Sequence, residues 1–226
     1  MTTAVATESP APTTTATVPS TRRPDVRRVT ALALPAVTAA LLVAATVTDP
    51  GSGAEGREMI RVYADQVDQL QWHAALLHWA YGLWGLIPIA LAGLARGRGR
   101  QWLNVAAVLG ALVALSMPAL MMSDLFFAGI ANHLDVATAD RIGNEMIAGQ
   151  WAVRSYLLPG LPSLALCLPI AFVGLARAGR VPKWAPVVAL VAFPVFMVST
   201  GTLPGAIAAA ACLVTLSVVL ARWARD

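Results

Sequence analysis

Six apolar runs divide this chain, at residues 29–48, 72–95, 102–130, 151–176, 184–200 and 203–221, and arginines close every second gap between them. A helix needs about 20 apolar residues to cross the hydrocarbon of a bilayer. Inside lipid no water is at hand to pair N–H and C=O groups, so a spanning segment must satisfy them within its own helix. The pattern therefore predicts an all-α fold, a polytopic transmembrane helical bundle of six spans. Composition agrees: 12% of residues are charged and 58% are hydrophobic, where a soluble domain carries about 25% charged residues. The remainder, residues 1–28, is Thr-, Ala- and Pro-rich before its arginines, with too little apolar bulk to order. It reads as a disordered cytoplasmic tail ahead of a transmembrane domain over 29–226.

The cations orient the bundle. Arg22, Arg23, Arg27 and Arg28 precede the first run; Arg96, Arg98 and Arg100 separate the second and third; Arg177, Arg180 and Lys183 separate the fourth and fifth; Arg222 and Arg225 follow the sixth. These are alternate ends, which the positive-inside rule assigns to the cytoplasm. The opposite gaps carry Asp49, Glu55, Glu58, Asp65 and Asp68, then Asp135, Asp140 and Glu145. The expectation is a multi-pass cell-membrane protein with cytoplasmic N- and C-termini. Trp72, Trp102, Trp151, Trp184 and Trp223 stand at span ends, at the depth an amphipathic ring prefers. A net charge of +4 could point to nucleic acid, but the cations sit in short clusters beside apolar runs and not on one basic face. Nucleic acid is thus not an expected partner.

Two stretches match at one offset. Pro88-Ile89-Ala90 with Gly93-Leu94-Ala95-Arg96 recurs as Pro169-Ile170-Ala171 with Gly174-Leu175-Ala176-Arg177, each 81 residues on. An amphipathic segment precedes each copy, over about 57–71 and 135–149, and reads as a helix lying on the outer membrane surface. The unit is surface helix, span, Arg turn, span. Because the offset covers two spans, the copies point the same way, as a parallel tandem repeat of helix hairpins. With these G-L-x-R turns the chain resembles a class of small uncharacterised multi-span membrane proteins of high-GC bacteria. The resemblance covers roughly Val62 to Val198; it implies no activity and transfers no site.

Ionisable groups within lipid are costly and mark function first. Asp124 lies late in the third run and Arg154 early in the fourth, at one depth on neighbouring antiparallel helices. His78, Tyr81, Ser123 and Tyr156 fall at similar depth. The candidate ligand-binding residues are therefore His78, Tyr81, Asp124, Arg154 and Tyr156, lining a polar pocket open to the outside. The alternative is an ion pair that fixes helix register. His73 and His78 are five apart, on different helix faces, a poor metal pair. Met117 and Met121 are one turn apart, as Cu(I) or haem ligands would be, but Met is also ordinary apolar filler. Cys167 and Cys212 lie in apolar runs without metal spacing. No catalytic or nucleotide-binding motif occurs, and the cytoplasmic loops are short. The expectation is a non-enzymatic protein without cofactor or resident metal. It would bind a lipid-like ligand or a protein partner through its outer helices; membrane lipid, a second copy or another membrane protein are the partners that fit. A small-molecule or ion permease with a polar outer-leaflet site, and a membrane metal or haem protein, are the alternatives.

Overall fold

The computed structural model describes residues 26–94, 97–198 and 202–223, and among them are nine helices and no strand. The expected tail falls almost wholly outside the described residues, as do the Ser199–Gly201 turn and Arg96, Arg225 and their neighbours. The helices are α1 (Val26–Val47), α2 (Gly56–Asp65), α3 (Val67–Leu94), α4 (Arg100–Ser116), α5 (Leu120–His133), α6 (Val136–Gly149), α7 (Trp151–Arg177), α8 (Ala185–Val198) and α9 (Leu203–Trp223). Five segments are long and apolar enough to cross a membrane: 29–47, 67–93, 100–133, 151–177 and 203–223. The fifth expected span, now α8, has 14 helical residues, about 21 Å of helix at 1.5 Å per residue.

Six helices close a ring. α1 packs on α3, α3 on α4, α4 on α7, α7 on α8, α8 on α9, and α9 returns to α1, while α3 also touches α7 across the middle. Leu70, Leu77, Trp84 and Leu91 repeat every seven residues along α3 and are all buried. Leu77, Trp84 and Leu91 share one core with Leu42, Phe172 and Leu213, while Leu70 packs with Tyr63 and Ala128 in a second cluster. Outward positions hold Trp79, Leu115, Leu158, Val187 and Ile207, all exposed. Large apolar groups on the outer face as well are what a helix solvated by lipid carries, and they fit a membrane-embedded protein.

Prolines sit inside α1, α3, α7 and α8 without ending them, and α7 runs unbroken past Pro159, Pro162 and Pro169. The break falls elsewhere, in the run expected as one helix over 102–130. Met117-Pro118-Ala119 separates α4 from α5. Pro118 has no N–H to give the preceding turn, and Leu120, Met121 and Met122 donate to carbonyls three residues back, a tightened 3₁₀-like turn. Below the break α4 stays in the ring; above it α5 packs on α2, α6 and α3.

The outer helices depart from expectation. α6 begins as predicted, with Asp135 capping it through Thr138 N at 2.7 Å. The segment expected as one helix over 57–71 is divided at Gln66, and residues 67–71 belong to α3. Ile60 and Tyr63 of α2 and Leu70 of α3 are buried, so their apolar face is covered by protein and does not lie on lipid. α2, α5 and α6 pack on one another as a cap, tied by the Arg57 Nε–Asp140 Oδ2 ion pair at 2.8 Å and by Asn132 Nδ2 donating to Ala64 O at 2.9 Å.

Glycines set the closest helix contacts. A Cβ on Gly85 would stand 2.4 Å from Gly110 O, and one on Gly110 would stand 2.3 Å from Gly85 O, so α3 and α4 touch backbone to backbone there. The two G-L-A-R glycines are not alike: a Cβ at Gly174 would meet Leu103 Cγ at 2.9 Å and Gly99 O at 3.0 Å, whereas at Gly93 it meets nothing within 4 Å. Gly93→Ala should therefore be neutral or stabilising by up to about 1 kcal/mol, while Gly174→Ala should destabilise by about 1–3 kcal/mol through overpacking. Thermal unfolding of the two variants in detergent checks this; equal midpoints would contradict the tight α4–α7 contact.

Candidate functional site

The site is built where α1 ends. The last turn of α1 leaves carbonyls without intrahelical partners, and Ala45 O is met by Thr48 Oγ1 at 3.0 Å and by His73 Nδ1 at 2.8 Å. A carbonyl only accepts, so Nδ1 of His73 carries the hydrogen and donates it to Ala45 O. The chain then turns at Asp49, whose Oδ1 accepts from Gly51 N at 3.0 Å and from the Tyr63 hydroxyl at 3.3 Å. Burial first, and the Asp49 carboxylate after it, push the Tyr63 phenol well above its ordinary value. It therefore stays protonated and donates to Asp49 at any physiological pH. Gly51 fits under the same ring: a Cβ there would lie 2.5 Å from Tyr63 Cε1.

Beneath this stapled loop lies a cavity of about 320 Å³, lined by Asp49, Glu55, Met59, Tyr63, His73, Leu77, Tyr81, Met121, Asp124 and Phe196 among others. Three carboxylates and one imidazole face it, and among the described residues no arginine or lysine does. Aromatic rings furnish its walls, with Tyr81 set edge-on to Phe196 at 6.2 Å between centroids. Asp124 is delivered by the break at Pro118, which carries α5 off the line of α4 and over the ring. Chemically the lining offers acceptors and π-faces, a setting that favours a positive guest.

Of the five residues expected to line such a pocket, Tyr81 and Asp124 do. His78 is exposed, its ring edge-on to Trp79 at 5.6 Å, outside the cavity. Arg154 is exposed on α7 and is not among the residues that line the cavity. The side chain of Tyr156 lies outside the described residues. His73, Asp49, Tyr63 and Phe196 were not among the expected site residues. The seven-residue stripe of α3 would have found His73, which stands three residues after Leu70 and four before Leu77, whereas His78 follows Leu77 directly and turns away. Met117 and Met121 are parted by the helix break: Met117 is buried against Gly160 and only Met121 reaches the cavity. Among the described residues no three His, Cys, Asp or Glu side chains are grouped to hold a metal.

Comparison with protein-family models, with curated proteins and with solved structures finds no match to this chain. What it does must be argued from the pocket.

Tyr63→Phe removes one donor from Asp49 and nothing else. Amide exchange over residues 51–54 should then quicken about fivefold, the equivalent of one hydrogen bond near 1 kcal/mol. Unchanged exchange would show that the phenol does not hold the loop.

Proposed function

We propose that the protein is a non-enzymatic membrane protein that binds a small organic cation, a primary or quaternary amine, in the pocket between the α1–α2 loop, α3 and α5. The observation that carries this reading is the juxtaposition of Asp49, Glu55 and Asp124 with the rings of Tyr63, Tyr81 and Phe196 around one cavity. Acids supply attraction at range, and aromatic faces supply a contact worth about 2 kcal/mol or more when desolvated. A volume near 320 Å³ suits a molecule of a few to a dozen heavy atoms. Ile60, Tyr63 and Leu70 are buried against protein, so the pocket supports a small cation better than the face of α2 supports a lipid-like ligand.

In this reading the ring crosses the bilayer six times. α8 counts as a span because it packs on both α7 and α9, and Trp184, just before it, marks the headgroup level. The cation-bearing loops face the cytoplasm, with both termini, and the pocket opens to the opposite side. The seven identities at a fixed 81-residue offset support a parallel tandem repeat of the α3–α4 and α7–α8 hairpins; the unlike surroundings of Gly93 and Gly174 would then be divergence between copies.

A second reading, a permease for the same cation, rests on the broken α4–α5 segment, because interrupted helices commonly place a charged group at a transport site. Uptake of radiolabelled choline by proteoliposomes distinguishes it from binding alone.

The test is calorimetric titration of the full chain in detergent with choline and with putrescine. Wild type should bind at least one of them, and Asp124→Asn should weaken that binding about tenfold or more. The variant should unfold no earlier than wild type, since it relieves a half-buried carboxylate of its desolvation. Failure of both amines to bind wild type, or full binding by Asp124→Asn, contradicts the proposal.

A further inference from the structure

We infer that a second site, at the opposite end of the bundle, holds the phosphate of an anionic phospholipid headgroup between α4, α7 and the α7–α8 loop. A cleft of about 940 Å³ opens there, lined by Arg98, Arg100, Arg177 and Lys183 with Trp102. No acid lines it, and among the described residues no acid lies anywhere at that end of the bundle. Four like charges on one cleft repel one another, so a bound anion lowers the energy of the arrangement. The helix terminus beside them asks for the same partner. Gly99, at φ 90°, caps α4 with no side-chain acceptor, and the first turn of α4 contains no acid. Arg100 N–H donates to Gly97 O at 3.3 Å, but no side chain answers the positive end of the helix dipole, which therefore favours an outside anion.

A lipid, more than a dissolved ion, fits the depth of the cleft. Trp102 is two-fifths exposed and Trp184 about half, each at the start of an apolar helix or beside it, the position of an aromatic belt at the headgroup level. Arg177 lies over the Trp102 ring at 5.3 Å, which fixes its guanidinium at that level. Val173 and Pro186 give the cleft an apolar flank toward the bilayer, along which the acyl chains would run. Basic pockets between spans at the cytoplasmic face bind anionic headgroups by this combination of charge and depth.

Lys183 is the sole lysine of the chain, so its acylation by an amine-reactive ester, resolved by peptide mapping from that of the α-amino group, reports on this cleft. The full chain in neutral detergent micelles is given dioctanoyl phosphatidylglycerol, dioctanoyl phosphatidylcholine or inorganic phosphate. Phosphatidylglycerol should slow Lys183 acylation about fivefold or more and phosphatidylcholine should not, and Arg98→Gln/Arg100→Gln should lose most of that protection. Native mass spectrometry of the unmutated chain should retain phosphatidylglycerol in preference to phosphatidylcholine, which needs no variant to fold. Equal acylation rates with the two lipids, or a double variant protected like wild type, overturn the inference. Protection by inorganic phosphate as strong as that by phosphatidylglycerol assigns the cleft to a free ion and overturns the lipid.

Discussion

In hydrocarbon a backbone amide has no partner but its own helix, and most of what is seen here follows from that constraint. It makes every crossing segment helical and leaves side chains to decide how helices meet. Where lipid tails are as apolar as leucine, contact is won by close approach. Gly85 against Gly110, Gly174 against Leu103, and the small residues Gly205, Ala206 and Ala209 on the buried face of α9 supply it. Ser217 Oγ, donating to Leu32 O at 2.6 Å, draws α9 and α1 together and closes the ring.

The same constraint makes departures from helix informative. The interruption at Met117–Ala119 would expose carbonyls to lipid if it lay on the outer face. Ser116 and Met117 are instead buried against Gly160 of α7, and non-helical backbone at membrane depth is tolerated where protein surrounds it. Past the break, Asp124 lines the cavity that His73 and Tyr81 also line. The ends of the bundle thereby become opposites. One gathers carboxylates and rings under a hydrogen-bonded loop; the other gathers four cations around an uncapped helix start.

Much of the fold was legible because span length and arginine position are set by lipid alone, independent of tertiary packing. The helix limits at Val47, Trp151, Arg177 and Leu203 fall within a residue or so of the expected ones. What could not be read depended on contacts between helices. Pro118 breaks its helix while Pro159, Pro162 and Pro169 do not, and the local sequence treats all four alike. Asp124 and Arg154 fall at similar depth in the sequence, but rotation about the helix axes decides which side chains reach the cavity, and of the two only Asp124 lines it. His73 was obscured by its place beside the acidic loop, although the spacing of Leu70, Leu77, Trp84 and Leu91 marked its face as inward. Gln66 divides α2 from α3 with no glycine or proline to announce it.

The central claim is that the acid-lined and cation-lined ends lie on opposite sides of a bilayer. Single cysteines placed at Ser52, Arg98 and Arg180, in a chain with Cys167 and Cys212 replaced by serine, test it in intact cells with a membrane-impermeant maleimide. Labelling is expected at position 52 alone, with positions 98 and 180 reacting only after the cells are opened. Labelling of all three in intact cells, or of 98 and 180 but not 52, would contradict it.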